Sequence, residues 1–386
     1  TDQGVSFGIS DLTIDCHGVS LQFNASSGTL FELNSDAAAD DTGVNSRIRF
    51  NGGIFQPNVA AASNTAVCFL VRTTTRLEIS DVFCQNWGGS ALRGPPRENL
   101  YLTNFEAFQC NKFWDFPEYF TTANGANPQD VFCRNFGLSV FYDTGIDLGG
   151  SMNHFRVRDG FVIPDSTATG PCISMETASS VSSPNRDILV DGVEFEQAPS
   201  ASYFYIETVD TNGSTIRGVT IRSCSFSDAA SKVFNGVALE GLTFADNYVA
   251  STQTGWLTFD NACKNILIGR NEFSGRTWPN WPAITNNADR DEIFFHRNIF
   301  FDNDDGLLTG YAPAQVSTGT ATLDMSTLLG SNFPGLIRPR GYWLQGTVQD
   351  SGSGAAAVGA AVGEGVVAAA GSRAPVGVSV AGGGAS

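Results

Sequence analysis

An all-β solenoid, in which short strands coil in parallel around one narrow core, is the fold class this sequence predicts. Three observations carry the prediction. An apolar spacing recurs along most of the chain, a polar or Gly-rich corner stands at a fixed place in each copy, and the composition holds 29 Phe and 42 Gly but only 16 % charged residues. The spacing is clearest between residues 188 and 300. An apolar residue at i and another at i+2 lead through a corner at i+3 to i+5 to a third at i+7. This gives Ile188/Val190/Phe195, Val219/Ile221/Phe226, Leu242/Phe244/Val249, Ile266/Ile268/Phe273 and Ile293/Phe295/Phe300. Apolar residues at period 2 signal a strand, and a strand–corner–strand unit that keeps returning signals a repeat architecture.

The template extends back through Leu12/Ile14/Val19, Ile48/Phe50/Phe55, Leu77/Ile79/Cys84, Leu100/Leu102/Ala107, Val131/Cys133/Leu138 and Phe155/Val157/Val162. The mean repeat is about 28 residues, without the Leu and Asn spacing of leucine-rich repeats or the four strands of a propeller blade. A parallel β-helix fits. Asn247, Asn271 and Asn298, or Gly53 and Gly160, occupy position i+5. Both residue types accept a left-handed backbone cheaply. Position i+5 is therefore expected to be the left-handed corner, with its Asn side chains hydrogen-bonded in a ladder.

A chain this long usually divides into domains, but a coil whose rungs touch only their neighbours escapes that limit. The expected division is a β-helix over residues 1–312, a short β-rich segment over 313–350 and an Ala/Gly/Val-rich tail over 351–386. Strands are expected near 316–325 and 341–348, and the tail suits ordering against partner chains. The net charge of −17, with lysine only at 112, 232 and 264, argues against nucleic acid as a partner, because phosphate binding needs clustered bases. No apolar run reaches 18 residues, so no membrane insertion is expected, and no secretion signal is read before the first rung. Eight Cys lack metal-ligand spacing and are expected as buried thiols rather than bridges. No metal and no cofactor are called for. An Asp-rich loop at 34–45 reads as solvated.

In residues 112–130, Phe113, Trp114, Phe116, Tyr119 and Phe120 are more aromatics than one narrow core can take. Some are expected to meet a neighbouring subunit or line a groove. A further strand recurs between the main repeats, as Phe141-Tyr142-Asp143-Thr144, Ser174-Met175-Glu176-Thr177, Tyr205-Ile206-Glu207-Thr208, Val233-Phe234-Asn235-Gly236 and Thr258-Phe259-Asp260-Asn261. Aligned in that way, Asp143, Glu176 and Glu207 form one column with rungs about 4.8 Å apart. Carboxyls that close raise at least one pKa. They also supply what glycoside hydrolysis requires: one acid to protonate the leaving oxygen, another to activate water or attack the sugar. The same acids can equally be solvent-facing turn formers. Asp147 and Asp210 stand close enough to complete either arrangement. Tyr203, Tyr205, Trp256, Trp278 and Trp281, with Asp260, lie near these strands as candidate sugar-binding residues; the Pro-rich loop around Trp278 and Trp281 suits stacking or a subunit contact equally. His17, His154 and His296 are far apart, and no Gly-x-Ser-x-Gly occurs, which turns any enzyme reading toward carboxylates.

On its repeat, its Asn corner and its inward Phe, Ile, Val and Leu positions, the chain from about residue 5 to 312 resembles the right-handed, single-stranded parallel β-helix proteins of the pectate-lyase-like superfamily. Within it, the aromatic insertion and small apolar C-terminal segment most resemble the tailspikes of bacteriophages. The resemblance implies a virion tail or surface spike, a homotrimer that contacts other tail or baseplate proteins, binds host surface glycan and has glycoside hydrolysis as a candidate activity. The alternatives are a monomeric, extracellular polysaccharide hydrolase or lyase and a non-catalytic structural spike or capsid decoration. The calcium-binding Asp cluster and catalytic Arg of pectate lyases are missing, as is the polygalacturonase pattern; Asp304-Asp305 alone does not supply it.

Overall fold

A computed structural model describes residues 5–7, 11–33, 47–71, 76–94, 99–116, 130–149, 152–176, 185–197, 204–210, 215–227, 232–250, 257–260, 262–276, 283–286, 293–296, 299–302, 315–318, 321–322, 344–350 and 354–360, with side chains for those from 11 to 272 other than Lys232. Among these residues the chain is strand throughout except for turns and one 3-10 turn at Ala61–Ser63. It is a parallel β-helix. Successive turns each give one short strand to a first sheet, which has 13 strands, and a longer or divided strand to a second sheet that bends. The first sheet ends where Gln315–Thr318 joins Ala283–Asn286 in parallel and turns back antiparallel into Ala321–Thr322. Leu344–Asp350 and Gly354–Ala360 form a separate antiparallel pair.

The second sheet follows the sequence template. Ile48 pairs with Leu77, Leu77 with Leu100, Leu100 with Val131 and Val131 with Phe155. Farther on, Ile188 pairs with Val219, Val219 with Leu242, Leu242 with Ile266 and Ile266 with Ile293. The i+7 residues pair in the same way, from Phe55 with Cys84 to Phe273 with Phe300. The first copy differs. Leu21, not Val19, meets Phe55, and Val19 is left 37 % exposed. A turn through Gly18, with φ +75, delays that strand by two residues.

The left-handed corner lies at i+4, one residue before the expected place. Gly52, Asp81, Asn104, Asn135, Asp159, Gly192, Ser223, Asp246 and Arg270 all have φ between +51 and +74. Side chains here point outward, and Asn104 donates to Asp81 (2.6 Å) while Asn135 donates to Asn104 (2.5 Å). Position i+5 instead turns inward just past the bend. The predicted Asn ladder is real there. Asn247 and Asn271 are buried, Asn247 Nδ2 donates to Asn271 Oδ1 (3.0 Å) and to the Ile221 carbonyl (3.0 Å), and the Cys224 amide donates to Asn247 Oδ1 (2.9 Å). These side chains satisfy backbone groups that the bend takes out of the ladder. Gly160 at i+5 has a different reason: a Cβ there would lie 2.4 Å from the Phe136 ring. Asn298 lies outside the described residues.

The core is one continuous file. Phe31, Phe50, Phe55 and Phe69 meet at 4.8–5.8 Å between ring centres, mostly edge to face. Each such buried ring contributes about 1.5–3 kcal/mol. The aromatic insertion is largely part of this file. Phe113, Trp114 and Phe116 are all at most 1 % exposed in the strand Lys112–Phe116, so these three belong to the core and are not among the aromatics expected to meet a neighbouring subunit or line a groove. Phe113 fits beside Trp114 because it occupies the corner between sheets, against Phe141 at 5.6 Å. Tyr119 and Phe120 lie outside the described residues. All eight cysteines are free, and all but Cys16 are buried, as expected.

Candidate functional site

Outward-facing positions of the first sheet are read from its register. Arg93 pairs with Asp115, Asp115 with Asp147, Asp147 with Ser174, Ser174 with Glu207, Glu207 with Asn235 and Asn235 with Thr258. Their neighbours in each strand, Leu92, Trp114, Phe116, Ile146, Leu148, Ile173, Met175 and Ile206, are core residues. Alternation therefore sends the column outward.

This corrects the expected column. Glu176 pairs with Val209, two residues along the strand from Glu207, and Asp143 lies in the turn before Ile146–Leu148. Asp147 takes the place assigned to Asp143, and Ser174 the place assigned to Glu176. The cause is the turn Tyr142–Gly145: its residues resemble a strand end, but the strand begins four positions after the expected start. Asp260 is displaced too, since Thr258 holds the row, and its carboxylate is used in a turn. The Ala262 amide donates to it at 3.1 Å and the Ala238 amide at 3.3 Å. Tyr205 is fully buried between Phe195 and Phe226, at 5.8 and 5.7 Å, so its ring offers no face to a sugar. Trp256, Trp278, Trp281 and Tyr203 lie outside the described residues.

The register builds a compact charged face. Arg93 Nε lies 3.1 Å from Asp115 Oδ2, and Lys112 Nζ lies 2.6 Å from Asp147 Oδ2 and 3.9 Å from Asp115 Oδ1. Asp115 and Asp147 are only 16 % and 17 % exposed. Burial pushes Asp115 up; Lys112 and Arg93 oppose it, Asp147 and Asp143 add to it, and the result is a raised pKa. Burial pulls the Lys112 ammonium down, but the bond to Asp147 and the charges of Asp147, Asp115 and Asp143 outweigh it and leave it raised. Glu207, two rungs below Asp147, is raised by burial first and by the Asp147 charge second. Asp147 Oδ1 is buried and has no hydrogen-bond partner among the described residues. An unsatisfied buried oxygen is costly.

No family model, curated protein or solved structure matches the chain. The site must therefore be read from its own chemistry. Below Glu207 the column turns uncharged, with Thr258 Oγ1 donating to Asn235 Oδ1 at 2.7 Å. Sequence reasoning missed Arg93, Lys112 and Asp115. Asp115 was hidden inside the aromatic run, although an acid flanked on both sides by apolar residues at period 2 is itself a signal of an outward strand position. A concavity of about 450 Å³ lies on the bent sheet, away from this column, and is lined by His17, Val19, Ile54, Asp81, Phe83 and Asn104, with His17 Nδ1 2.6 Å from Asp15. Among the described residues no three His, Cys, Asp or Glu side chains gather as metal ligands.

Proposed function

We propose that this chain is the glycan-binding coil of a bacteriophage tailspike or fibre subunit, and that the outward column of its first sheet cleaves the host surface polysaccharide it binds. The observation that carries the reading is the pairing of Glu207, raised by burial and by Asp147, with Asp147 itself, two rungs away and ion-paired to Lys112. Two rungs are about 10 Å at the backbone, close to the roughly 6.5–9.5 Å between carboxyls that lets a water enter in inverting glycosidases. Glu207 would donate its proton to the leaving glycosidic oxygen. Asp147 would take a proton from the water that attacks the opposite face of the sugar. Asp147 Oδ1 is buried, so the carboxylate must turn toward that water.

The viral assignment rests on the coil resemblance described above, and trimerisation goes with it. A second reading, a non-catalytic spike, is favoured by one specific observation. Asp115 and Asp147 are each held by a base, as in a purely structural charge ladder. Incubation with capsule or lipopolysaccharide followed by a reducing-end assay separates the two. New reducing ends that vanish in Glu207→Gln support hydrolysis; binding without new ends supports the structural spike.

A further inference from the structure

The concavity on the bent sheet forms where the first copy departs from the template. The turn through Gly18, with φ +75, leaves Val19 37 % exposed beside His17. On the next rung Gly52 and Gly53 bring no side chains to the corner, and a Cβ at Gly52 would stand 2.8 Å from the His17 ring. The imidazole therefore lies across that rung, and its Nε2 comes within 3.9 Å of Asp81 Oδ2 on the rung beyond. Beside the corner the residues Ser20, Ile54, Phe83 and Glu106 stand in register on four successive rungs. Ile54 is 46 % exposed. The hollow these residues line measures about 450 Å³, within the roughly 300–1,000 Å³ of small-molecule sites.

We infer that this hollow binds an amino-sugar ring by its ammonium group, at a site separate from the first-sheet column. The inference goes beyond the cleavage reading and does not depend on it.

Its chemistry follows from which groups donate and which accept. Asp15 Oδ1 takes the His17 amide at 3.1 Å and lies 2.6 Å from Nδ1. A carboxylate only accepts, so Nδ1 carries a proton. In the uncharged ring Nε2 is then an acceptor. It faces a second acceptor, Asp81 Oδ2, across a gap too wide for a hydrogen bond. Asp81 Oδ1 is already used by Asn104 Nδ2 at 2.6 Å. Glu106, one rung beyond Asp81, adds another carboxylate to the lining. Converging acceptors call for a ligand group that only donates. An ammonium has three N–H donors and no acceptor, and its bonds to carboxylates are charge-assisted. Val19, Ile54 and Phe83 supply apolar walls for the C–H face of a sugar ring, and Ser20 brings a hydroxyl for the ring hydroxyls. A lysine side chain shares the ammonium but has no hydroxyl to offer Ser20.

The test titrates methyl glucosaminide into the full chain at about pH 7, read by saturation-transfer NMR of the ligand. Methyl N-acetylglucosaminide, methyl glucoside and Nα-acetyl-lysine methylamide are run beside it. The glucosaminide should bind at about millimolar strength, and the two sugars without a charged amine about tenfold or more weakly. Asp81→Asn keeps a residue suited to the left-handed corner but removes the charge; Ile54→Lys puts a cation into the hollow from an exposed position. Each should weaken glucosaminide binding about tenfold, with melting curves confirming that both variants fold. Glu194→Gln makes the same change in net charge as Asp81→Asn, three rungs from Glu106 in the same row. That is more than a screening length away, so binding should stay within about twofold of wild type. Equal binding of the acetylated sugar, an equal loss with Glu194→Gln, or no detectable binding overturns the inference. Tighter binding of the lysine derivative overturns the sugar assignment in favour of a basic peptide. None of these outcomes touches the cleavage reading, because reducing-end release by the column should be the same in Ile54→Lys as in wild type.

Discussion

Two outward columns run side by side along this coil and behave in opposite ways. On the bent sheet, the left-handed corner from Gly52 to Arg270 repeats one backbone geometry with interchangeable residues: Gly, Asp, Asn, Ser and Arg all hold φ between +51 and +74. Its side chains satisfy one another, as in the Asp81–Asn104–Asn135 ladder and the Arg270–Asp246 pair at 2.6 Å. On the first sheet, the column from Arg93 to Thr258 repeats only Asp, at Asp115 and Asp147, concentrates buried charge on the rungs of Asp115, Asp147 and Glu207, and leaves Asp147 Oδ1 without a partner among the described residues. Where a solenoid repeats itself, the residue serves the coil. Where carboxylates are buried against bases, as at Asp115 and Asp147, the position carries a desolvation cost that the exposed corner pairs do not.

The contrast can be broken in several ways. The largest effect is expected from Glu207→Gln, which keeps the shape but removes the transferable proton. Polysaccharide cleavage should fall about 10²- to 10⁴-fold in the reducing-end assay, with glycan binding retained. No corner substitution should do this. Next comes Asn247→Ala, inside the bent sheet. It strands the Cys224 amide and the Ile221 carbonyl, and chemical denaturation should show a loss of about 3 kcal/mol while cleavage by the folded fraction persists.

Smaller changes sharpen the comparison at the corner itself. Gly192 has φ +65 and would put a Cβ 3.2 Å from Asp159 Oδ1. Gly192→Val should cost about 1–2 kcal/mol, since a β-branched residue resists the left-handed region. Gly192→Asn, which matches neighbouring rungs, should stay within about 0.5 kcal/mol of wild type. The smallest effect is the pH dependence of Glu207. Its folded-state pKa is raised above the ordinary 4.5, so the folded state binds the proton more tightly. Its contribution is therefore full below pH 4.5 and is lost as pH rises through the folded value. Glu207→Gln should melt about 1 °C above wild type near neutrality, and the two curves should converge below pH 4.5.

The two sheets were also unequally legible. In the bent sheet, strands of 10–12 residues such as Arg76–Gln85 and Asp130–Phe141 carry three inward apolar residues on a fixed grid. A shift of one position there would have exposed Phe, Ile and Leu together. First-sheet strands such as Ile146–Leu148 and Ile173–Glu176 are too short for that constraint. They follow loops of changing length, and an alignment on Phe141-Tyr142-Asp143 looked as good as the true one on Ile146-Asp147-Leu148.

The amino-acid sequence alone therefore determined the coil, the pairing of its bent sheet, the Asn247–Asn271 ladder and the burial of the thiols. The coil and its pairing follow from apolar periodicity, which is local and repeats often enough to average out its errors; the ladder follows from Asn at one fixed position of that repeat, and the thiols from the lack of metal-ligand spacing. Only the folded structure decided that Asp115, Asp147 and Glu207 share a face while Asp143, Glu176 and Asp260 do not, and that Lys112 and Arg93 are already taken. Those facts depend on where each loop returns the chain to the first sheet, and no pattern within a single strand records the length of the path between two of them.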